Sequence, residues 1–267
     1  MRQKGRHRRH RHDVDHSPAS GAPTVYESSP RQEEASSAAM TQAEEQAVWR
    51  ILSTGHTALN AIRLGEHAMH TTSHHIARSP YYDQYACRAG CSWCCYIPVA
   101  VTPPEALVMA QYLRKRMSAE ELCAVRERLA EQAERIAHLS SAAHAEARMP
   151  CALLREGQCM VYEARPIRCR RWNSVDSAAC EVGFHDAHAA VVPIDAYGFA
   201  AGGSIQAGLH AGARQVGLDG TWYELHSVVW RALEVADAAD HWVRGAAVFG
   251  DCTPIERRGS VDSPESL

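Results

Sequence analysis

No run of about 18 consecutive apolar residues, the length needed for a membrane-spanning helix, occurs in this 267-residue chain. The N-terminus is basic, but no apolar segment follows it, which argues against a secretory signal. The net charge is only −3, so bulk charge predicts neither a nucleic-acid nor a membrane partner. No G-x-G-x-x-G nucleotide fingerprint is present, and Ala201-Gly202-Gly203 lies in a helix-like context. No Ser/His/Asp arrangement, P-loop or internal repeat stands out. Aromatic residues make up only 7%, so a core has to come from closely packed, alanine-rich helices. The expected compartment is the cytoplasm, where disulfides are rare.

Cysteine, in contrast, is abundant. Eight of the ten cysteines fall in two clusters. The first is Cys87-Arg-Ala-Gly-Cys91-Ser-Trp-Cys94-Cys95, and the second comprises Cys151, Cys159, Cys169 and Cys180. Thiols this dense in a reducing compartment read as metal ligands or redox groups rather than as a disulfide scaffold. The Cys91-x-x-Cys94 step lets one turn present two sulfurs to one ion, with Gly90 just before it. Adjacent Cys94 and Cys95 point apart in an extended or turn segment. Three arrangements follow: two metal sites side by side, one cluster with ligands on several sides, or one ligand beside a free thiol.

Cys169 stands in Arg165-Pro166-Ile-Arg168-Cys169-Arg170-Arg171. Pro166 at the first helical position would put Cys169 in the first turn, near the positive end of the helix dipole. The dipole and four arginines would favour thiolate over thiol. Cys123 sits beside a helical seam and reads as a packed thiol. Cys252 reads as a free thiol or an outlying ligand. His67, His70 and His74 share one helical face, and they, His185 and His188 hold a minor ligand role beside a polar-surface one.

The predicted fold is mainly α, a single helical domain around an irregular cysteine-rich centre. Residues 1–40, rich in Arg and His and then in Ser, Ala and Pro, read as a disordered tail. Its basic run leaves a weak nucleic-acid contact open. Residues 41–250 read as the domain, and 251–267 as a second disordered tail. Capping boxes are expected at Thr41…Glu44, Thr102…Glu105, Ser118…Glu121 and Thr221…Glu224. One helix is expected from about Thr41 to the stretch before Pro80, and another over Asp195–Val216. Seams run through Leu122, Val125, Leu129, Gln132, Ile136, Leu139 and Ala143, and through Trp222, Leu225, Val229, Ala232, Ala236 and Ala239. Ala152-Leu-Leu, Gly157-Gln and Met160-Val-Tyr162 suit one short hairpin.

The combined motif, Cys87-x3-Cys91-x2-Cys94-Cys95, Pro150-Cys151, Gly157-Gln-Cys159-Met-Val-Tyr162-Glu-Ala-Arg165-Pro166-Ile-Arg-Cys169-Arg170 and Ala179-Cys180, resembles the YkgJ-type (CxxCxxCC) zinc- or iron-chelating cysteine-cluster family of bacteria. The resemblance spans roughly 82–243. It implies metal binding through Cys87, Cys91, Cys94, Cys95, Cys151, Cys159, Cys169 and Cys180, as zinc, iron or an iron–sulfur cluster. Tyr162, Arg165 and Arg170 are expected beside the sulfurs, where they could hydrogen-bond sulfur or substrate. A second reading is an iron–sulfur-dependent protein-modifying enzyme resembling flagellin lysine N-methylase, which would use S-adenosylmethionine. A third is a thiol redox sensor. The sequence names no protein partner or substrate.

Overall fold

The computed structural model describes residues 30–186 and 189–255. The basic run at the N-terminus, His188 and residues 256–267 lie outside them. The protein is mainly α. Among the described residues the elements run α1 (Pro30–Leu52), α2 (Ala58–Ile76), β1 (Ala100–Val101), α3 (Pro103–Arg116), α4 (Ala119–Ala137), α5 (Ser141–Ala147), β2 (Leu154–Arg155), β3 (Gln158–Cys159), α6 (Ile167–Arg171), α7 (Ser177–His185), α8 (Ala196–Gln215), β4 (Tyr223–Glu224), α9 (Leu225–Glu234) and α10 (Ala238–Val243).

The long helices form the frame. α1 lies along α8, α2 packs on α3 and α8, and α4 and α3 pack on α9. Their apolar stripes meet in one core that includes Leu64, Met109, Leu113, Leu129, Ile205, Leu209 and Trp242, each at most 1% exposed. Burying side chains of this size stabilises by roughly 1.5–3 kcal/mol each. The α1–α8 contact is unusually close: a Cβ on Gly208 would lie 2.4 Å from the Thr41 carbonyl oxygen. α8 (Ala196–Gln215) is capped by Asp195, which accepts the Tyr197 and Gly198 N–H groups, and by Val216, so with its caps it matches the expected span. The seam of α4 buries Val125, Leu129, Gln132 and Ile136, but the helix ends at Ala137, short of Leu139 and Ala143.

Several expectations change. The helix expected from Thr41 to before Pro80 is two helices, because Gly55 at φ 134° turns the chain between Leu52 and Ala58. α1 starts at Pro30, so residues 30–40 are helical and not tail. At the other end, Glu224 N–H donates to Thr253 O and Ile255 N–H to Trp222 O. Residues 251–255 therefore belong to the domain. The seam after Thr221 is cut between α9 and α10 by Asp237 at φ 53°.

Two of the four capping expectations hold. Ser118 and Glu121 reciprocate at 3.2 and 2.9 Å. At α3, Glu105 Oε2 accepts both the N–H and the hydroxyl of Thr102, at 2.9 and 2.7 Å. Thr41 instead sits inside α1, its hydroxyl within bonding distance of Ser37 O and Ser204 O. Thr221 caps nothing, because Glu224 itself receives the His226 and Ser227 N–H groups that open α9.

A short hairpin forms where one was expected, but with a tighter register: β2–β3 pairs Leu154 with Cys159 and turns on Glu156 (φ 52°) and Gly157 (φ 74°), not on Gly157-Gln158, as a two-residue turn of this handedness requires. A second pairing, Ala100 with Glu224 and Val101 with Tyr223, joins β1 to β4. No helix among the described residues is long and apolar enough to cross a membrane.

Candidate metal centre

Two irregular stretches and two short helices bring the cysteines together, with Cys151, Cys159 and Cys169 packed against the core of the frame. The first stretch makes two successive turns, with Cys91 N–H donating to Arg88 O and Cys95 N–H to Ser92 O. Gly90 takes φ 94° in the first of these turns. Cys151 N–H then donates to Cys95 O at 2.8 Å, tying the second cysteine segment to the first. The β2–β3 hairpin returns the chain to Cys159. α6 carries Cys169, and α7, capped by Asp176 on the Ala178 and Ala179 N–H groups, carries Cys180.

A carboxylate from the frame aligns α6. Glu105 is fully buried; its Oε2 takes Thr102 and Gln206, and its Oε1 accepts the Ile167 N–H at 2.7 Å. Ile167 is the first residue of α6, whose opening N–H groups have no partner within the helix. Burial raises the Glu105 carboxyl pKa, and its four hydrogen bonds pull it back down.

Cys87, Cys91, Cys94, Cys95, Cys151, Cys159 and Cys169 line one cavity of about 90 Å³. Cys180 faces a second cavity, which Cys94 also lines. The sulfurs fall into two groups by their electrostatic neighbours. Cys87 feels Cys94, Cys91 and Cys180, and Cys180 feels Cys91 and Cys94. Cys159 feels Cys151 and Cys94, and Cys169 feels Cys94, Cys151 and Cys159. Cys94 belongs to both groups, and its thiol is hydrogen-bonded to Cys95.

The protonation state of Cys169 reverses the sequence expectation. Burial first, and then the neighbouring thiols, push it well above the usual cysteine value, with Arg165 opposing. α6 is five residues long and its N-cap is Pro166. Arg168 and Arg171 lie over the rings of Trp172 and Phe199, at 4.5 and 4.1 Å. The cations that looked local to Cys169 are therefore spent on packing. Cys87 and Cys159 are pushed up to about 11 by burial. Cys94 is raised by its bond to Cys95 and by burial, and Cys180 by burial. These five thiols are partly buried, and the shifts all favour the protonated form.

Tyr162 and Arg165 line the cavity, with the Arg165 guanidinium 4.0 Å over the Tyr162 ring. Arg170 does not line it: its guanidinium donates to Arg165 O, Glu163 O and Ser73 Oγ and so holds the loop. Cys123 is exposed, its thiol 3.6 Å from Glu127, and is not a packed residue. Cys252 is buried against Ser227 O. His67 meets Glu44, and His75 meets Tyr197; neither these nor His70, His74 or His185 line either cavity.

Sequence reasoning missed two cavity residues, His144 and His226. Glu224 Oε1 lies 2.6 Å from His226 Nδ1, and the Ala152 N–H donates to Nε2 at 3.1 Å. Burial opposes a charged ring here, while Glu224 and Cys151 raise the pKa to about 10. The two observations conflict, because only a neutral ring can accept the Ala152 N–H. The geometry decides: Nδ1–H faces Glu224 and Nε2 carries the lone pair. The one sequence signal was Glu224-x-His226, which had been absorbed into an expected capping box.

Among the described residues, no three His, Cys, Asp or Glu side chains are gathered closely enough to hold an ion as they stand. The donor chemistry nonetheless suits a soft or borderline metal, since sulfur dominates the cavity wall. Loading would require the thiols to draw closer together and release protons. No family model, curated protein or solved structure matches this chain.

Proposed function

We propose that this protein binds zinc or iron through Cys87, Cys91, Cys94, Cys95, Cys151, Cys159, Cys169 and Cys180. The observation that carries this reading is the common cavity lined by seven thiols, with the eighth linked to it through Cys94. Eight sulfurs exceed the four of a tetrahedral zinc site; seven of them form two groups meeting at Cys94, with Cys95 hydrogen-bonded to Cys94, which suits two ions. The metal would supply a cross-link between the first cysteine segment, the hairpin with α6, and α7. Arg165 would offset the charge of the assembled thiolates, and His226 and Glu224 would fix the backbone at Cys151 and Ala152. Such thiols persist in a reducing compartment such as the cytoplasm.

One observation favours an iron–sulfur-dependent enzyme as a second reading: the larger cavity reaches Cys94 and Cys180. A thiol redox sensor fits less well, because Cys87, Cys94, Cys159, Cys169 and Cys180 are shifted toward the thiol and the thiolate is the reactive form.

Anaerobic purification followed by metal analysis and visible absorption tests both readings. About two zinc ions per colourless chain supports metal binding and sinks the iron–sulfur reading. Brown protein with iron and acid-labile sulfide sinks the zinc one. Protein that carries no metal, takes up neither zinc nor ferrous iron under reducing conditions, and is unchanged by Cys94→Ser would overturn the proposal.

A further inference from the structure

The larger of the two thiol-contacting cavities has a volume of about 570 Å³, within the range of roughly 300–1,000 Å³ typical of small-molecule sites. Its walls are aromatic and aliphatic. Trp93, Tyr96 and Phe184 form one side, with ring centroids 5.5 Å apart for Trp93–Phe184 and 4.8 Å for Tyr96–Phe184. Trp172 and Val192, both buried, form part of the rest. Cys94 and Cys180 are the sulfurs in the wall.

Charge enters this lining at three places: Arg148, Arg168 and Glu146. Arg168 is buried over Trp172. Arg148 lies nearer solvent and is held in place. Its backbone is left-handed at φ 45°, its guanidinium sits 5.7 Å from the Phe184 centroid, and one nitrogen donates to the carbonyls of Phe184 and His185 at the end of α7. A guanidinium fixed beside an aromatic wall offers both a stacking edge and a point for an acidic oxygen. Glu146 is exposed and disfavours a second negative charge on the same ligand.

We propose that this cavity is a binding site for a flat aromatic molecule carrying one acidic group. The ring lies against Trp93, Tyr96 and Phe184, the acid meets Arg148, and the inner edge approaches Cys94 and Cys180. The aromatic walls contribute affinity through buried area and offset stacking. Arg148 contributes selectivity for an anion over a neutral molecule of equal size. The site borders the proposed metal centre but does not depend on it, because the groups that recognise the ligand are not metal ligands.

Three probes of one shape test this: 2-naphthoate, 2-naphthylmethanol and 2-naphthylmethylammonium. Each is titrated into the full-length protein, as purified, by calorimetry and by tryptophan emission, since Trp93 and Trp172 line the site. The expected result is saturable one-to-one binding, with naphthoate about tenfold or more tighter than the alcohol and the ammonium weakest. Arg148→Met should remove the preference for naphthoate while leaving the alcohol's affinity within about twofold, and Arg148→Lys should keep part of the preference. Phe184→Leu should weaken all three probes together and leave their order unchanged. Circular dichroism and metal content verify that each variant is intact.

Equal affinity for the three probes, a naphthoate preference that survives Arg148→Met in intact protein, or no saturable binding would each overturn the site. Normal metal content without probe binding would overturn only this site. Saturable naphthoate binding by a protein that takes up no metal would overturn only the metal reading.

Discussion

The helical frame and the cysteine centre are built by opposite means. In the frame, α2, α3, α4, α8 and α9 bury apolar stripes against one another, and each helix carries its own hydrogen bonds. The centre has two-residue strands, a five-residue helix and consecutive tight turns. It is held by backbone tethers such as Cys151 N–H to Cys95 O and by side chains reaching in from the frame, chiefly Glu105 and His226. A region with so little regular structure gains most from cross-links, and a region with a continuous core gains least. The frame should therefore fold without metal, while the centre should tighten when its thiols are loaded.

The sharpest way to break this contrast is to remove the proposed metal. Binding free energies of structural zinc, roughly 10–16 kcal/mol in small peptides, show how much organisation a loaded centre can carry. Chelation should raise hydrogen exchange across 85–98 and 151–185 by orders of magnitude and leave α8 protected. Cys180→Ser should lower the metal content by about one ion and Cys159→Ser by the other, whereas Cys94→Ser should lower both. Uniform deprotection of frame and centre would end the comparison.

Acidity acts on the centre in two directions. Loading releases protons from the thiols, so metal affinity should fall as pH falls, measured by competition with a chromophoric chelator. Without metal the sign reverses. The folded values of Cys87 and Cys159 are raised to about 11 from an ordinary 9. The folded state therefore retains protons that the unfolded chain releases, and metal-free stability should decline as pH rises from about 9 to 11. A metal-free centre whose stability increases over that window would contradict the buried, protonated thiols.

A frame variant gives the converse. Leu209→Ala in α8 should cost about 2–5 kcal/mol, read as a lower denaturation midpoint, with metal content unchanged. Glu105→Gln acts on the joint between the two regions. It leaves the Ile167 or Thr102 N–H poorly matched and should cost about 1–3 kcal/mol. Unlike Leu209→Ala, it should speed metal release from the Cys169 side, followed by stopped-flow chelation. Ser118→Ala removes one cap of α4 and should cost about 1 kcal/mol, with no effect on metal release at all.

What could be read from the chain follows this same division. α8, the Ser118 cap, most of α4 and the presence of a hairpin between Ala152 and Tyr162 depend on residues within a few positions of one another, so pattern and spacing sufficed, although the turn falls at Glu156-Gly157 and not at Gly157-Gln158. The β1–β4 pairing did not show, because Ala100 and Glu224 are far apart in sequence and each strand is two residues long. The break at Gly55 was hidden because apolar residues continue on either side of it. Nothing local marks His144, and the one local mark of His226, Glu224 two residues before it, also fits a capping box; α5 and α9 carry the two rings to the thiols.

The sequence by itself determined that the protein is mainly helical and that its cysteines fall in two groups at metal-ligand spacing. Tertiary structure decided that seven of them line one cavity, that Cys94 also reaches the second cavity with Cys180, and that the environment of Cys169 favours thiol over thiolate. The reason is the range of the forces. Helix periodicity and capping act over a few residues, and the Arg-rich run around Cys169 suggested a thiolate on those local grounds. Burial is set by segments from across the chain, and here it outweighs the local charges.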